Sequence, residues 1–167
     1  MIGRALTLVG GLAGAAGLSQ FPEFSQQYVQ RLGGAVDELG RFVSEFDADA
    51  AEVGLTRHSA LVDLGQGGTM GAQRAETMAG VIMRYERLST DLSALRSAGP
   101  FTRAYRMRSF GDAEIAQAAW ADFQPAVPLN MAGGIFAGAG FLAGLMMMGA
   151  VLALLRLPFR RRRTRAA

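Results

Sequence analysis

Hydrophobic and polar positions divide the chain into two nearly uncharged stretches, one at each end, with a long amphipathic stretch between them. The longest uncharged run extends from Gln124 to Leu155, bounded by Asp122 before it and Arg156 after it. Its core, Ile135 to Leu155, reads IFAGAGFLAGLMMMGAVLALL, and at ~1.5 Å per residue it is long enough to cross a hydrocarbon layer of ~30 Å. Residues 1–22 carry one charge, Arg4, and are rich in Gly and Ala. A charged start, a short apolar region and Ala13-Gly14-Ala15 fit a secretory signal. A retained first span is the preferred expectation, because a helix this glycine-rich is best used packed against a partner. Small residues recur at Gly3, Thr7, Gly10, Gly14 and Gly17, on one helix face, and a matching stripe runs through Gly133, Ala137, Gly140 and Gly144. Docking of the two spans and a seam between copies both satisfy this GxxxG-type pattern.

Between the spans the period changes. From Phe21 to about Phe46, Tyr28, Ala35 and Phe42 fall seven apart with Leu32, Leu39 and Phe46 four after each, which predicts an amphipathic helix with a heptad seam. Phe21, Phe24 and Tyr28 stand just past the first span, where aromatic rings favour the membrane–water boundary. Gly33-Gly34 weakens this helix and predicts a bend or a close contact. Residues 47–71 read as the far turn of a hairpin: Gly54 ends a helix, Thr56 caps a short one through Leu64, and Gly65-Gln66-Gly67-Gly68 breaks it. Met78, Val81, Tyr85, Leu88, Leu92 and Leu95 then predict a second helix, antiparallel to the first and stopped by Ser97-Ala98-Gly99-Pro100. In FTRAYRMRSFGD, Arg103, Arg106 and Arg108 alternate with aromatics; they are expected to meet headgroups or neighbouring acids. Asp112 is the predicted cap of a helix through Phe123, and Trp120 and Phe123 mirror Phe21 and Phe24 as interface residues. Pro125 and Pro128 redirect the chain, and Asn130 caps the second span.

Charge then sets the topology. All 17 basic side chains are arginine, and all 14 acids lie between residues 20 and 129 together with ten of those arginines. Arg156, Arg160, Arg161, Arg162, Arg163 and Arg165 close the chain. A slightly acidic central region between apolar segments with basic outer ends is what the positive-inside bias produces when both termini are cytoplasmic. The arginine tail also suits anionic lipid at about 1 kcal/mol per charge.

The chain offers little for catalysis. It has no cysteine and no lysine, and its one histidine, His58, falls in the far turn. A zinc site needs three or four ligands, so a lone histidine reads as a surface or capping residue. No Ser/His/Asp arrangement, HExxH or phosphate-binding loop is present, and neither span holds an ionisable residue inside its apolar part for a proton path. The expectation is a protein that is not an enzyme, with no cofactor, no metal and no nucleic acid partner.

Three stretches, LSQFPEFSQQYVQRLGGAVDEL at Leu18–Leu39, MRYERLSTDLSAL at Met83–Leu95 and AQAAWADFQPAVPL at Ala116–Leu129, resemble a proteobacterial family known as a domain of unknown function. That resemblance implies short two-span inner-membrane proteins with a helical periplasmic region and no assigned activity; the glycine-rich Gly65–Gly71 departs from it.

The expected architecture is all-α: residues 1–20 a first transmembrane helix, 21–129 a periplasmic region built on an antiparallel, coiled-coil-like helical hairpin with short additional helices, 130–155 a second transmembrane helix, and 156–167 a cytoplasmic Arg-rich tail. The expected setting is a bacterial inner membrane. The expected role is an accessory, assembly or scaffold subunit of a larger membrane complex. The alternatives are a homo-oligomeric pore-forming or membrane-organising assembly, disfavoured by spans whose only polar groups are Thr7, Ser19 and Asn130, and a periplasmic sensor or adaptor, which would need a pocket between the outer helices.

Overall fold

The computed structural model describes the backbone of residues 1–125 and 130–163, with side chains through Leu155 in the last helix. It is all-α, with no strand among the described residues: α1 Ile2–Ser19, α2 Phe21–Glu52, α3 Arg57–Gln66, α4 Gly68–Arg96, α5 Pro100–Tyr105, a 3₁₀ segment Met107–Phe110, α6 Ala113–Ala121 and α7 Met131–Arg163. Two compact units result, Met1–Ser25 with Phe123–Ala167, and Gln26–Asp122. Two helices are long and apolar enough to cross a membrane, one beginning at Ile2 and one spanning Met131–Leu155.

In the apolar unit α1 and α7 lie side by side and antiparallel: Gly10 faces Met148 and Gly144, and Gly14 faces Gly140. Only Gln20 separates α1 from α2. Its backbone stays in the right-handed helical region, and its carbonyl accepts the Phe24 N–H at 2.9 Å. Pro22 causes no break, because a first-turn residue needs no N–H donor. At the other span Asn130 caps as its side chain allows, Oδ1 accepting the Gly133 N–H at 2.7 Å. The backbone of α7 continues to Arg163, beyond the expected end at Leu155. Pro128, Arg165 and the side chains of Arg156, Arg160, Arg161, Arg162 and Arg163 lie outside the described residues.

In the second unit the local stop signals act where the sequence places them. Gly54 adopts φ +74°, a left-handed conformation that glycine enters without steric cost. Thr56 caps α3 in a reciprocal capping box with Ser59. The far turn is nevertheless shorter than expected: α2 runs on to Glu52, and α4 starts at Gly68, ten residues before Met78. Arg57, one residue into α3, grips Asp47 of α2 through Nε at 2.7 Å and Nη2 at 2.5 Å. The Arg57 hydrogen bond is the main reason the Asp47 carboxyl is held below its usual range. A depressed carboxyl stabilises the fold above its ordinary value near 3.8, and that stabilisation is lost as pH falls through the folded value. Both side chains are more than one-third exposed, so solvent screening limits the effect to about 0.5 kcal/mol. Acidification below about pH 4 should therefore lower amide protection factors, measured relative to the intrinsic rate at each pH, at the end of α2 and the start of α3. The Arg57→Gln variant should exchange fast already at neutral pH and lose the acid step; an acid step retained in that variant would rule out this pair as its origin.

The packing face of α2 is broader than the expected seam. Tyr28 and Leu32 of that seam are fully buried, and the neighbouring row Val29, Val36, Val43 and Ala50 is buried with them, whereas Phe42 is 53% exposed. Both rows are apolar at heptad spacing; toward the far end of α2 the core is met by Val36, Val43 and Ala50, while Ala35, Leu39 and Phe46 are only partly covered. On α4 the buried residues are Ile82, Leu88, Leu92 and Leu95, with Val81 only partly covered. Gly33 is approached by the Arg96 guanidinium and Gly40 by the Tyr85 ring, so the two helices run antiparallel. α2 continues through Gly33-Gly34, and the close contact is at Gly33 alone, since a Cβ on Gly34 would meet nothing within 4 Å.

Candidate functional site

Two constructions in the molecule go beyond ordinary apolar packing. The first is the glycine seam of α1 and α7. A Cβ added to Gly14 would fall on the Gly140 carbonyl oxygen, and one added to Gly140 would fall on that of Gly14. The relation repeats one turn on: a Cβ on Gly144 would strike the Gly10 carbonyl, and one on Gly10 would stand 3.1 Å from the Gly144 oxygen and 2.6 Å from Met148 Cβ. Each missing Cβ thus leaves a Cα–H aimed at a carbonyl of the facing helix. Such contacts are worth about 0.5–1 kcal/mol each and form only when backbones nearly touch. Gly11, which the small-residue stripe omits, admits the Phe141 ring and Leu145 instead.

Of the remaining seam residues, Gly133 is buried and Ala137 half-buried on α7. Gly17 is corrected: a Cβ there would meet nothing within 4 Å, because the last glycine of the stripe has rotated off the contact line. Away from the seam the two helices expose large apolar side chains, among them Leu8, Val9 and Leu12 on α1 and Leu142, Met146 and Met147 on α7. Two of the five expected boundary aromatics pair with each other, Phe24 with Phe123 edge-on at 5.8 Å, and Phe21 stacks at a tilt on Phe136 at 5.3 Å. Trp120 is 69% exposed at the end of α6. Tyr28 is a correction: it is completely buried, its ring 4.7 Å from that of Phe110, so it is a core residue and not a boundary anchor.

The second construction is the charged knot around Asp112. Asp112 caps α6 by accepting the Ile115 N–H at 3.2 Å, as expected. Its carboxylate is buried and also receives Arg84 Nη2 at 3.2 Å and Arg87 Nη2 at 3.1 Å, two residues one turn apart on α4. Arg84 reaches Glu114 as well, at 2.6 Å. That hydrogen bond is the first reason its guanidinium holds its proton more tightly, with burial opposing. Burial pushes the Tyr28 hydroxyl upward, and the Asp112 backbone N–H directed at it partly offsets that shift. The carboxylate ties α4 to α6, and the Asp112 backbone adds Tyr28 of α2, whose ring lies against Phe110 of the 3₁₀ segment.

Two of the three arginines of FTRAYRMRSFGD meet carbonyls and not acids. Arg103 Nε donates to the Leu95 carbonyl at 3.0 Å, and Arg106 donates to that of Ala94. Both close the C-terminal end of α4, whose last carbonyls lack helical partners and carry the negative end of the dipole. The signal was available as basic residues shortly after a helix stop, but their targets are set by the fold of α5. His58 is exposed at the start of α3. Among the described residues no three His, Cys, Asp or Glu side chains are grouped to hold a metal ion.

Neither the curated proteins nor the solved structures contain a match to the chain. The family described as "Protein of unknown function (DUF2937)" matches residues 2–161, which takes in both spans and everything between them. With nearly the whole length covered, the chain belongs to that family.

Proposed function

We propose that this is a non-enzymatic integral protein of a bacterial inner membrane that serves as an accessory, assembly or scaffold subunit of a larger membrane complex. The observation that carries the reading is on α7. Gly134 and Gly138, four residues apart, would each accept a Cβ with nothing within 4 Å. A glycine in an open helix costs about 1 kcal/mol relative to alanine, and its use in a span is to let another backbone come close. Gly10, Gly11 and Gly14 are already engaged by α7, so the open pair is left for a helix of a partner. The charge distribution supports cytoplasmic termini with a periplasmic central region, and the arginine tail adds an attraction for anionic lipid.

Extraction in mild detergent, native-gel migration and mass spectrometry of co-migrating chains test this reading. Wild type should migrate with one recurrent set of other polypeptides. Gly138→Leu should release them without destabilising the chain itself, whose thermal unfolding should shift upward by at most about 1 kcal/mol as the helical glycine is removed. Migration as a stable monomer would defeat the proposal. A discrete self-assembly with no other polypeptide would transfer the same glycine pair to a homo-oligomer.

A further inference from the structure

Phe42 is exposed on α2 because it borders a groove. Leu39, Phe42 and Phe46 of α2, Leu64 of α3, and Met78 and Val81 of α4 line an open cavity of about 420 Å³. Two polar residues complete the lining, Thr77 and Arg74. The Thr77 hydroxyl is already spent on the Gln73 carbonyl of its own helix, at 2.9 Å. Arg74 is exposed, has no ion pair among the described residues, and is the single charge on the lining, with no acid beside it there. Three helices thus line an open, mostly apolar slot with one charge, the Arg74 guanidinium.

We propose that this groove is a binding site for a long-chain fatty acid, its alkyl chain along Leu39, Phe46, Met78 and Val81 and its carboxylate on Arg74. The volume lies at the small end of the ~300–1,000 Å³ typical of small-molecule sites. A protein partner would need about 800 Å² of surface per side, with a polar rim to satisfy its hydrogen bonds, and the slot offers neither. A flexible alkyl chain needs no polar contact along its length. Its head needs one positive group, and an arginine fork suits a carboxylate in two-point geometry.

The test uses the full chain in nanodiscs of phosphatidylcholine with a diazirine-bearing palmitate, followed by mass spectrometry of the labelled peptides. Labelling should fall in residues 39–46 and 77–81. Arg74→Gln should weaken palmitate binding about tenfold, as expected for losing one charge-assisted contact, and Arg74→Lys should recover most of it. Hexadecanol, which has no carboxylate, should bind wild type and Arg74→Gln alike. Arg74 is exposed, so these variants keep the fold; Met78→Trp, which fills the slot, gives a second reading through loss of labelling with an unchanged helical circular dichroism signal. Labels confined to the two spans would overturn the proposal. So would equal palmitate affinity in all Arg74 variants, preferential labelling of the groove by a phosphatidylglycerol probe, or groove labelling that disappears as the chain self-associates.

Discussion

Replacing Asp112 with alanine is expected to loosen α6 and the 3₁₀ segment from α4 at a cost of about 3 kcal/mol. One carboxylate is buried against two guanidinium groups and an amide N–H, so its removal strands Arg87 Nη2 and the Ile115 N–H and leaves Arg84 with Glu114 alone. Truncating one member of a buried ion pair costs about 3–5 kcal/mol. Arg87 is about half exposed and Arg84 about one-third, so water recovers part of that loss and the lower end of the range applies. Asn keeps the cap and removes the charge. The difference between Asp112→Asn and Asp112→Ala should therefore be about 1 kcal/mol, the usual worth of an N-cap. Chemical denaturation of the full chain in mild detergent measures the totals, and amide exchange locates them: the first amides of α6 should open soonest. If both variants unfold with the wild type, the knot contributes nothing and α6 is held by Ile115 and Ala119 alone, which are also buried.

Leucine at Gly14 is the second large effect. Its Cβ cannot exist with the helices where they are, since it would occupy the position of the Gly140 carbonyl oxygen, a backbone atom that no side-chain rotation can move. The helices must separate, and the reciprocal Cα–H contacts at Gly10, Gly140 and Gly144 go with them. Overpacking costs about 1–3 kcal/mol where side chains can adjust, and backbone contact puts this substitution at or beyond the upper end. The chain has no cysteine, so spin labels at Val9→Cys and Met147→Cys report on α1 and α7 without background. A single narrow distance in wild type should become broad in Gly14→Leu. Gly17→Leu is the control, because a side chain there meets open space. An unchanged distance in Gly14→Leu would show that the seam does not hold the two spans.

Taken together, the two substitutions separate the roles of the two units. One concerns a polar cluster that fixes short helices onto a long one. The other concerns backbone contact between apolar helices, where lipid tails are as apolar as the side chains and small residues supply the close fit. In both, a residue's identity matters because of an atom far along the chain, twenty-five or more positions away.

Distance along the chain also explains which features were legible beforehand. The two apolar helices, the caps at Thr56, Asp112 and Asn130, and the left-handed Gly54 could be read directly, because each depends on charge-free length or on a bond to a residue three or four positions away. Local chemistry of this kind is written in the order of the residues. Tertiary structure alone decided that Val36 and Val43 are buried while Phe42, one position away on a similarly apolar row, is exposed. It also decided that Gly14 meets Gly140 while Gly17 meets nothing, that Tyr28 is core, and that Arg103 and Arg106 end on the carbonyls of α4. The physical reason is the same in each case. A helix presents several competent faces or donors, its own hydrogen bonds are satisfied whichever is used, and only the partner that arrives from elsewhere in the chain determines which one is buried.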